Sequence, residues 1–272
     1  MKIVVCIKQV PMVSELPWDP KTGALKRDRS DGMMNPLCRN AIEASLGLKE
    51  TLGGEIDVLS MGPPTAEEVL REAAALGADR GFLLCDPRMA GADTLATSFT
   101  LARAVEKVCP DFDLVVCGAG TSDSETAQVG PQLAVELGVP SVSRVDWIEP
   151  EDGLLRLGRV SDSFHEVLEM DLPGLITVTA RANSPRYSRL AGVEDAFGEF
   201  DVAFLDAEAL GADAGRVGAA GSATKILKVF SPRADKQGVV MKGAAKKVAR
   251  RLLDEYSDRL GGYIGRDLTE PE

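Results

Sequence analysis

The sequence contains few of the side chains on which catalysis by protein groups depends. It has a single histidine, His165, and aromatic residues make up only 5% of the chain. Its five cysteines are scattered and none are spaced as Cys-x-x-Cys, so neither a zinc site nor a disulfide framework is expected. His165 lies in an alternating stretch typical of a strand with one solvent-facing side, and no serine or cysteine motif accompanies it. The sequence therefore predicts no catalytic residue and no metal ligand.

The sequence also lacks an excess of positive charge and any long apolar run. Its 31 lysine and arginine residues stand against 42 aspartate and glutamate residues, which gives a net charge of −11. This balance argues against binding to nucleic acid or to an anionic membrane. No apolar run approaches the roughly 18 residues that a membrane-spanning helix needs, and the N-terminus does not resemble a signal peptide. These features predict a cytoplasmic or matrix-like protein with reduced thiols.

The first 140 residues alternate between strand and helix signals. Short apolar runs with β-branched residues predict buried parallel strands, and helix starts such as Asn35-Pro36, Thr65 and Asp93-Thr94 lie between them. This order predicts the α/β fold class, with a doubly wound, mostly parallel sheet and helices on both faces. The predicted strands are Lys2–Ile7, Ile56–Ser60, Gly81–Cys85 and Leu114–Cys117.

The pattern changes in the second half of the chain, where several strand-like segments follow one another. Residues 206–223 are rich in alanine and glycine and weakly patterned, and 243–260 has the pattern of a charged amphipathic helix. We therefore predict an α/β body over residues 1–205 and a C-terminal arm over 206–272 that packs on the body or on a partner. The later predicted strands are 142–148, 154–160, 164–170, 175–179 and 224–230.

The segment Gly118–Val129, here called the polar loop, follows the fourth predicted strand and precedes a helix. It combines small residues, which let a backbone approach a ligand closely, with hydroxyl and amide side chains. Hydroxyl donors at a helix start are typical of a phosphate-binding loop. The loop is not the dinucleotide-binding fingerprint, because Asp123 stands where the third glycine should be, and no Walker Gly-Lys-Ser/Thr is present. The alternative is an ordinary Ser/Thr-rich loop between a strand and a helix.

Two carboxylates in the polar loop do not suit a phosphate. Asp123 and Glu125 would repel its negative charge. We therefore expect these two side chains to accept hydrogen bonds from ribose hydroxyls or from backbone amides.

A second polar segment, Gly91–Ser98, begins a predicted helix. A helix cap explains Asp93 or Thr94, but it leaves Thr97 and Ser98 without a role, and neither is a strong helix former. We expect the polar side chains of this segment to form one edge of a ligand site.

A third segment, Ala182–Gly192, follows the predicted strand over 175–179 and is here called the recognition loop. Its asparagine, proline and glycine residues mark an exposed loop. Arg186, Tyr187 and Leu190 are of residue types that anchor protein interfaces. The alternative is a packed turn.

These segments, in this order, resemble the beta subunits of electron transfer flavoproteins over nearly the whole chain. Each motif alone is common, but the ordered set is specific. The matching segments are Val5-Cys-Ile-Lys-Gln-Val-Pro11, Asn35-Pro-Leu-Cys38, Ala41-Ile-Glu43, Ser60-Met-Gly-Pro63, Leu76-Gly-Ala-Asp-Arg80, Thr126-Ala-Gln-Val-Gly-Pro131, Leu172-Pro173 and Asn183-Ser-Pro-Arg-Tyr187.

The resemblance implies an adenine-nucleotide-hydrolase-like body with a nucleotide in its crevice. By this resemblance the nucleotide would be FAD, with AMP as the alternative, and a second FAD would be held mainly by an alpha subunit. The Gly91–Ser98 segment resembles the flavin-bifurcating branch of the family, which implies NADH as electron donor. The cofactor-binding residues implied are Cys6, Asn35, Pro36, Leu37, Cys38, Met61, Asp93, Thr94, Thr97, Gly118, Ala119, Gly120, Thr121, Ser122, Asp123, Ser124, Glu125, Thr126, Ala127, Gln128 and Val129.

The same resemblance implies the partners. The arm over 206–272 would pack on the alpha subunit, and Leu190 would dock into an acyl-CoA dehydrogenase-type flavoprotein. Ferredoxin or flavodoxin would be the second electron acceptor, and a quinone path is an alternative to the dehydrogenase. The chain is thus expected to be an electron-carrier subunit that oxidises NADH only within a bifurcating complex.

Two alternatives stay open at this point. One is a non-bifurcating beta subunit with structural AMP. The other is an ATP-utilising enzyme or nucleotide sensor on the same fold, which would need an early phosphate loop of the Ser-Gly-Gly type. The first strand is followed instead by Lys8-Gln-Val-Pro11, which disfavours the second alternative.

Overall fold

The computed structural model describes residues 1–12, 32–151, 153–162, 164–225, 227 and 238–260. The chain divides into two compact units, Met1–Val229 and Phe230–Glu272. The strands of the first unit are β1 (Lys2–Ile7), β2 (Gln9–Pro11), β3 (Gly32–Met34), β4 (Glu55–Met61), β5 (Arg80–Leu84), β6 (Leu114–Gly118), β7 (Ser141–Glu151), β8 (Leu154–Ser161), β9 (Phe164–Asp171), β10 (Gly174–Val178) and β11 (Val202–Leu205). Its helices are α1 (Pro36–Leu52), α2 (Glu67–Leu76), α3 (Thr94–Val108), α4 (Val129–Leu137), α5 (Leu190–Gly198) and α6 (Gly218–Gly221).

Nine of the described strands form one large sheet in the order β11-β5-β4-β1-β6-β10-β7-β8-β9. The strands from β11 to β7 pair in parallel, and β7, β8 and β9 pair antiparallel. The two strands that pair with β1, β4 and β6, lie on opposite sides of it, so the chain switches direction across the sheet at β1. A crevice therefore opens at the carboxyl ends of β1 and β6, which is where ligands bind in open parallel sheets.

Two hydrophobic cores cover the two faces of this sheet. Ile3, Val5 and Ile7 of β1 pack with residues of α1 and α2 on one face. Val4 and Cys6 of the same strand pack with residues of α3 and α4 on the other face. Such burial on both sides is why central parallel strands have nearly continuous apolar sequences. The predicted α/β class, with a mostly parallel sheet between two helix layers, is confirmed.

The structure departs from the sequence prediction in three elements. Helix α2 begins at Glu67 after a short 3₁₀ turn over Pro64–Ala66, and the Thr65 hydroxyl donates to Gln9 Oε1 at 3.2 Å instead of capping the helix. Strand β10 returns to the middle of the sheet between β6 and β7, although the pattern placed it in an all-β region. Strand β11 extends the sheet beside β5 and carries no clear sequence signal.

The start of the predicted arm belongs to the first unit. Ala207, Leu210 and Val217 are buried. The Arg216 guanidinium lies 3.8 Å from the centre of the Phe99 ring in α3 and pairs with Glu136 of α4 at 2.9 Å. The structure therefore divides the chain near residue 229, whereas the sequence pattern placed the boundary at 205, because alanine- and glycine-rich segments can pack closely without long apolar side chains.

The second unit contains the predicted charged helix, α7 (Ala245–Leu260). Val248, Leu252 and Tyr256 of this helix, together with Val239 and Met241, line a shallow apolar hollow. The strand predicted over 224–230 lies mostly outside the described residues. Within the described parts of both units, no helix combines the length and the apolarity needed to cross a membrane.

Candidate functional site

The crevice at the carboxyl ends of β1 and β6 is bordered by four segments. Lys8 follows β1, Met61 ends β4, and the polar loop begins at the last residue of β6. The fourth segment is the N-terminus of α1, which starts directly after Asn35. The sequence predicted that Cys6–Lys8, Asn35–Cys38, Met61–Pro63 and the polar loop would converge here, because parallel strands present their ligand sites at the carboxyl edge of a sheet.

Asn35 holds the polar loop in place. Its side chain is almost fully buried, with 1% of the residue exposed. Its Nδ2 donates to the carbonyl oxygen of Gly120 at 2.9 Å, and its Oδ1 accepts from the backbone N–H of Ser122 at 3.1 Å. Its own backbone N–H donates to the carbonyl of Lys8 at 2.9 Å. Asn35 occupies the helix N-cap position, as predicted, but its amide joins β1, α1 and the polar loop.

Gly118 brings the polar loop against α1. A Cβ atom at this position would lie 2.9 Å from the carbonyl carbon of Leu37, so only glycine allows this approach without a shift of the helix. At Gly120, by contrast, no described atom lies within 4 Å of where a Cβ would be. The loop therefore starts as a tight packing contact and then opens toward the crevice.

Lys8 and Asp123 form an ion pair across the crevice, with the Lys8 Nζ 2.7 Å from an Asp123 carboxylate oxygen. Partial burial acts to raise the pKa of Asp123, but the Lys8 hydrogen bond and charge outweigh it and hold the pKa below its ordinary value. The sequence predicted that Asp123 would accept from ribose hydroxyls or backbone amides, and the structure shows a lysine partner that was not predicted. The pairing offsets the repulsion that this carboxylate would exert on a phosphate.

The outer half of the polar loop has an unusual backbone. Glu125 and Ala127 have φ angles of 50° and 54°, a region that residues other than glycine adopt infrequently. Thr121 and Ser124 share a hydroxyl–hydroxyl hydrogen bond of 2.8 Å. Residues 122–128 are exposed and lead directly into the N-terminus of α4. Strained backbone persists where the surroundings enforce it, and it is common at ligand sites.

The N-terminus of α3 contributes to the site unevenly. The Asp93 carboxylate accepts from the Ala96 N–H at 3.0 Å and from the Thr224 N–H at 2.8 Å. Burial acts to raise the pKa of Asp93, but the hydrogen bonds from these backbone N–H groups outweigh it and hold the pKa below its ordinary value. The Thr94 hydroxyl donates to Gln128 Oε1 of the polar loop at 3.0 Å. Thr94 therefore joins the crevice, whereas Asp93 caps α3 and holds the segment that follows α6.

Two of the buried thiols near the crevice have raised pKa values. Cys6 and Cys117 are register partners on β1 and β6, and a hydrogen bond between them, with burial, raises the pKa of Cys117. Burial raises the pKa of Cys38 to about 11. Because the thiolate is the reactive form, the raised pKa values of Cys38 and Cys117 disfavour nucleophilic chemistry at these two thiols.

The recognition loop lies along α1, away from the crevice. Tyr187 is 96% exposed and Leu190 is 86% exposed, as a docking segment requires. Arg186 differs from the prediction that all three residues face a partner. Its guanidinium donates to both carboxylate oxygens of Glu43 at 2.9 Å and to Glu50 at 2.6 Å.

The structure therefore assembles most of the predicted crevice. Asn35, the polar loop and Thr94 are in direct contact, while Met61 is half-buried at the end of β4. Sequence reasoning placed Lys8 at this edge of the sheet but gave it no partner, and its partner Asp123 is 115 residues away. Its one usable signal was its position directly after the first strand.

Comparison with known proteins identifies the family. Residues 22–217 match the sequence profile of the electron transfer flavoprotein domain. The chain belongs to the electron transfer flavoprotein family. It is 38% identical over 259 residues to the electron transfer flavoprotein subunit beta of Thermoanaerobacterium thermosaccharolyticum, an alignment that covers 95% of this chain and 99% of that subunit.

Two further relatives in this family carry names of reductase complexes. The chain is 40% identical over 261 residues to the caffeyl-CoA reductase-Etf complex subunit CarD of Acetobacterium woodii, covering 95% of this chain and 99% of CarD. It is 36% identical over 265 residues to the acryloyl-CoA reductase electron transfer subunit gamma of Anaerotignum propionicum, with the same coverages. The predicted resemblance to electron transfer flavoprotein beta subunits is confirmed.

Proposed function

We propose that this chain is the nucleotide-binding beta subunit of a cytoplasmic alpha–beta electron transfer flavoprotein, and that its crevice binds FAD. AMP in the same crevice is the alternative. The observation that carries the proposal is the hydrogen bond from Thr94 to Gln128. It joins the N-terminus of α3 to the polar loop, so that donors from α1, α3 and the polar loop border one extended site. AMP would need only the part formed by α1 and the polar loop.

The hydrogen-bond donors around the crevice suit the diphosphate group of a dinucleotide such as FAD. The hydroxyls of Ser122, Ser124 and Thr126 lie in a loop that leads into the N-terminus of α4, where backbone N–H groups favour anions. The Lys8–Asp123 pair adds no net charge to this wall. The opening at Gly120 allows a ligand to approach the backbone closely.

The residues of the chain would bind and orient the cofactor, and FAD would supply the redox chemistry when bound. Asn35 fixes the loop backbone before any ligand arrives, so that little ordering is required on binding. The raised pKa values of Cys38 and Cys117 disfavour a reactive thiolate beside the cofactor. No side chain of the crevice is assigned an acid, base or nucleophile role.

The names of the relatives support the choice of partners. Caffeyl-CoA reductase and acryloyl-CoA reductase complexes contain subunits that are similar to this chain over nearly its whole length. We propose that the complex takes electrons from NADH and divides them between ferredoxin or flavodoxin and an acyl-CoA dehydrogenase-type flavoprotein. A quinone path is the alternative to the dehydrogenase.

A cofactor count tests this proposal. The alpha–beta complex is purified, denatured, and its released nucleotides are separated by chromatography. Two FAD per pair, together with NADH-dependent flavin reduction, is the expected result. One FAD and one AMP per pair would overturn the bifurcating proposal and leave a non-bifurcating carrier. ATP or no nucleotide would overturn the carrier proposal as well.

The second unit is proposed to pack on the alpha subunit. Its helix α7 carries an apolar side, with Leu252 and Leu253 each more than 40% exposed, and a short amphipathic helix is rarely stable alone in water. Deleting residues 230–272 should weaken alpha–beta association far more than it lowers the melting temperature of the first unit. Equal co-purification of the truncated and full chains with alpha would contradict this assignment.

A further inference from the structure

The recognition loop has little regular structure of its own. Residues 183–189, all of which the structure describes, belong to no helix or strand. Two of its exposed side chains, Tyr187 and Leu190, are almost completely open to solvent. A segment of this kind samples many conformations unless its ends are fixed, and that freedom lowers the affinity of any docking event.

A set of contacts on α1 fixes the first end of this loop. Asn40 is 5% exposed, and its Nδ2 donates to the carbonyl and side-chain oxygens of Asn183 at 3.1 and 3.0 Å. Asn183 Nδ2 donates back to the Asn40 carbonyl at 3.0 Å. Three residues further on, Arg186 meets two glutamates of the same helix.

The contacts of Arg186, Glu43 and Glu50 are here called the loop tether. Arg186 donates its backbone N–H at 3.0 Å and both Nε and Nη2 at 2.9 Å to the Glu43 carboxylate, and its Nη1 donates to Glu50 at 2.6 Å. A two-pronged guanidinium–carboxylate contact fixes orientation as well as distance. Because these donors are used within the chain, Arg186 is poorly placed to contact a partner.

The other end of the loop is fixed on α2. A Cβ at Gly192 would lie 2.7 Å from the carbonyl oxygen of Ala75, so α5 approaches α2 closely at this point. Arg71 of α2 donates to the carbonyls of Ala196 and Phe200 at 2.6 and 3.0 Å. Tyr187 and Leu190 therefore lie between two fixed ends.

We propose that Arg186 is a positioning residue: through the loop tether it holds Tyr187 and Leu190 in the conformation that docks an acyl-CoA dehydrogenase-type flavoprotein. This inference rests on the proposed docking function of Leu190. The sequence predicted that Arg186 contacts the partner directly, whereas in this proposal it acts within its own chain.

The test uses the full alpha–beta complex and a purified short-chain acyl-CoA dehydrogenase that the wild-type complex reduces. Glu43→Ala removes the main acceptor of the tether and leaves Arg186 free to reach a partner. We expect it to raise the KM for the dehydrogenase about fivefold with kcat unchanged, because saturating partner still selects the docked conformation. Arg186→Lys keeps the charge but loses the fork, and should raise KM by a similar factor.

A measurement without the partner completes the test. Chymotrypsin cleavage after Tyr187, followed by mass spectrometry, should be about fivefold or more faster in Glu43→Ala than in the wild type, since an untethered loop opens more often. The matched control is Glu72→Ala, which breaks the exposed Arg39–Glu72 pair and should change neither KM nor cleavage. Arg186→Ala combined with Glu43→Ala should show no larger effect than either variant alone.

The outcomes separate this inference from the function on which it rests. An unchanged KM in Glu43→Ala, full activity of Arg186→Lys, or unchanged cleavage after Tyr187 would each overturn the positioning role. If Leu190→Ala raises KM while Glu43→Ala does not, docking stands and the tether is wrong. If Leu190→Ala leaves KM unchanged, the docking proposal fails and the positioning role fails with it.

Discussion

Helix α1 holds the polar loop and the recognition loop by different chemistry. At its N-terminus, the buried amide of Asn35 holds the polar loop with two neutral hydrogen bonds. The recognition loop has an amide pair of its own, Asn40–Asn183, but it is also held by Glu43 and Glu50 through Arg186, whose side chain is 37% exposed. One helix thus sets the backbone of both the proposed cofactor site and the proposed docking site.

The difference follows from the solvent around each loop. A neutral amide satisfies buried backbone groups without adding charge beside a phosphate site, and its loss leaves those groups without partners. A surface ion pair is weakened by water and salt, so several donors are needed to fix one loop. Changes at the first loop should therefore have larger effects than changes at the second.

The largest effect is expected at the buried amide. Asn35→Ala leaves the Ser122 N–H and the Gly120 carbonyl without partners, which should lower the free energy of unfolding by about 1–3 kcal/mol and release most of the crevice nucleotide. Nucleotide content per complex and thermal melting measure the two effects. Ser45→Ala, which removes a buried hydroxyl from the same helix, is the control and should retain nucleotide. If the Asn35→Ala complex retains its nucleotide, the polar loop does not depend on this amide.

A smaller and more selective effect is expected at the exposed tip of the recognition loop. A leucine that fills a partner's pocket contributes on the order of 2 kcal/mol, so Leu190→Ala should slow electron transfer to the dehydrogenase about tenfold or more. Flavin content and NADH-dependent flavin reduction should stay unchanged. Leu52, exposed at the end of α1, provides the control substitution Leu52→Ala. Loss of flavin from Leu190→Ala would instead indicate a packing role.

The contact between α3 and the polar loop distinguishes the two candidate nucleotides. Thr94→Val removes the hydroxyl that donates to Gln128. We expect the dissociation constant for FAD to rise about threefold to tenfold, which corresponds to the loss of one hydrogen bond. AMP retention should not change, because the smaller ligand does not reach α3. Thr51→Val, on an exposed part of α1, is the matched control. Equal loss of both nucleotides would mean that Thr94 acts only through the loop.

The smallest effect is expected from pH near neutrality. The hydrogen bond from Arg186 holds the pKa of Glu50 below its ordinary value of 4.5. Burial acts to raise the pKa of Glu43, but the hydrogen bonds and charge of Arg186 outweigh it, so that this pKa is also lowered. A carboxylate with a lowered folded-state pKa stabilises the fold above its unfolded-state pKa, and this stabilisation is lost as pH falls through the folded value. The KM for the dehydrogenase should therefore be flat between about pH 6 and 8 and rise only below about pH 4.5. A KM that changes around neutral pH would show that titratable groups other than Glu43 and Glu50 control docking.

The crevice was predictable because its position follows from general rules. Buried parallel strands have recognisable apolar sequences, and their carboxyl ends converge, so Asn35 and the polar loop were expected to meet. The partners within the site were not predictable in the same way. Lys8 and Asp123 lie 115 residues apart, and the sequence offers many other acidic side chains for this lysine.

The recognition loop shows the same limit. Its residue types indicated an exposed interface segment, and the exposure of Tyr187 and Leu190 agrees with that prediction. Arg186 has the same signal as its neighbours, because arginine is equally suited to a partner contact and to an internal ion pair. Only the fold, which brings Glu43 within 2.9 Å across 143 residues of sequence, decides between the two.

The sequence by itself determined the alternation of strands and helices, the two-sided burial of β1 and the chemistry of the polar loop, because these depend on local periodicity and residue type. The tertiary structure alone decided that β10 inserts between β6 and β7 and that Ala207 and Val217 are buried on the first unit. It also decided that Arg186 pairs with Glu43 and Glu50 of its own chain. Each of these depends on contacts between distant segments, where many pairings are compatible with the same local pattern and packing of the whole body selects one.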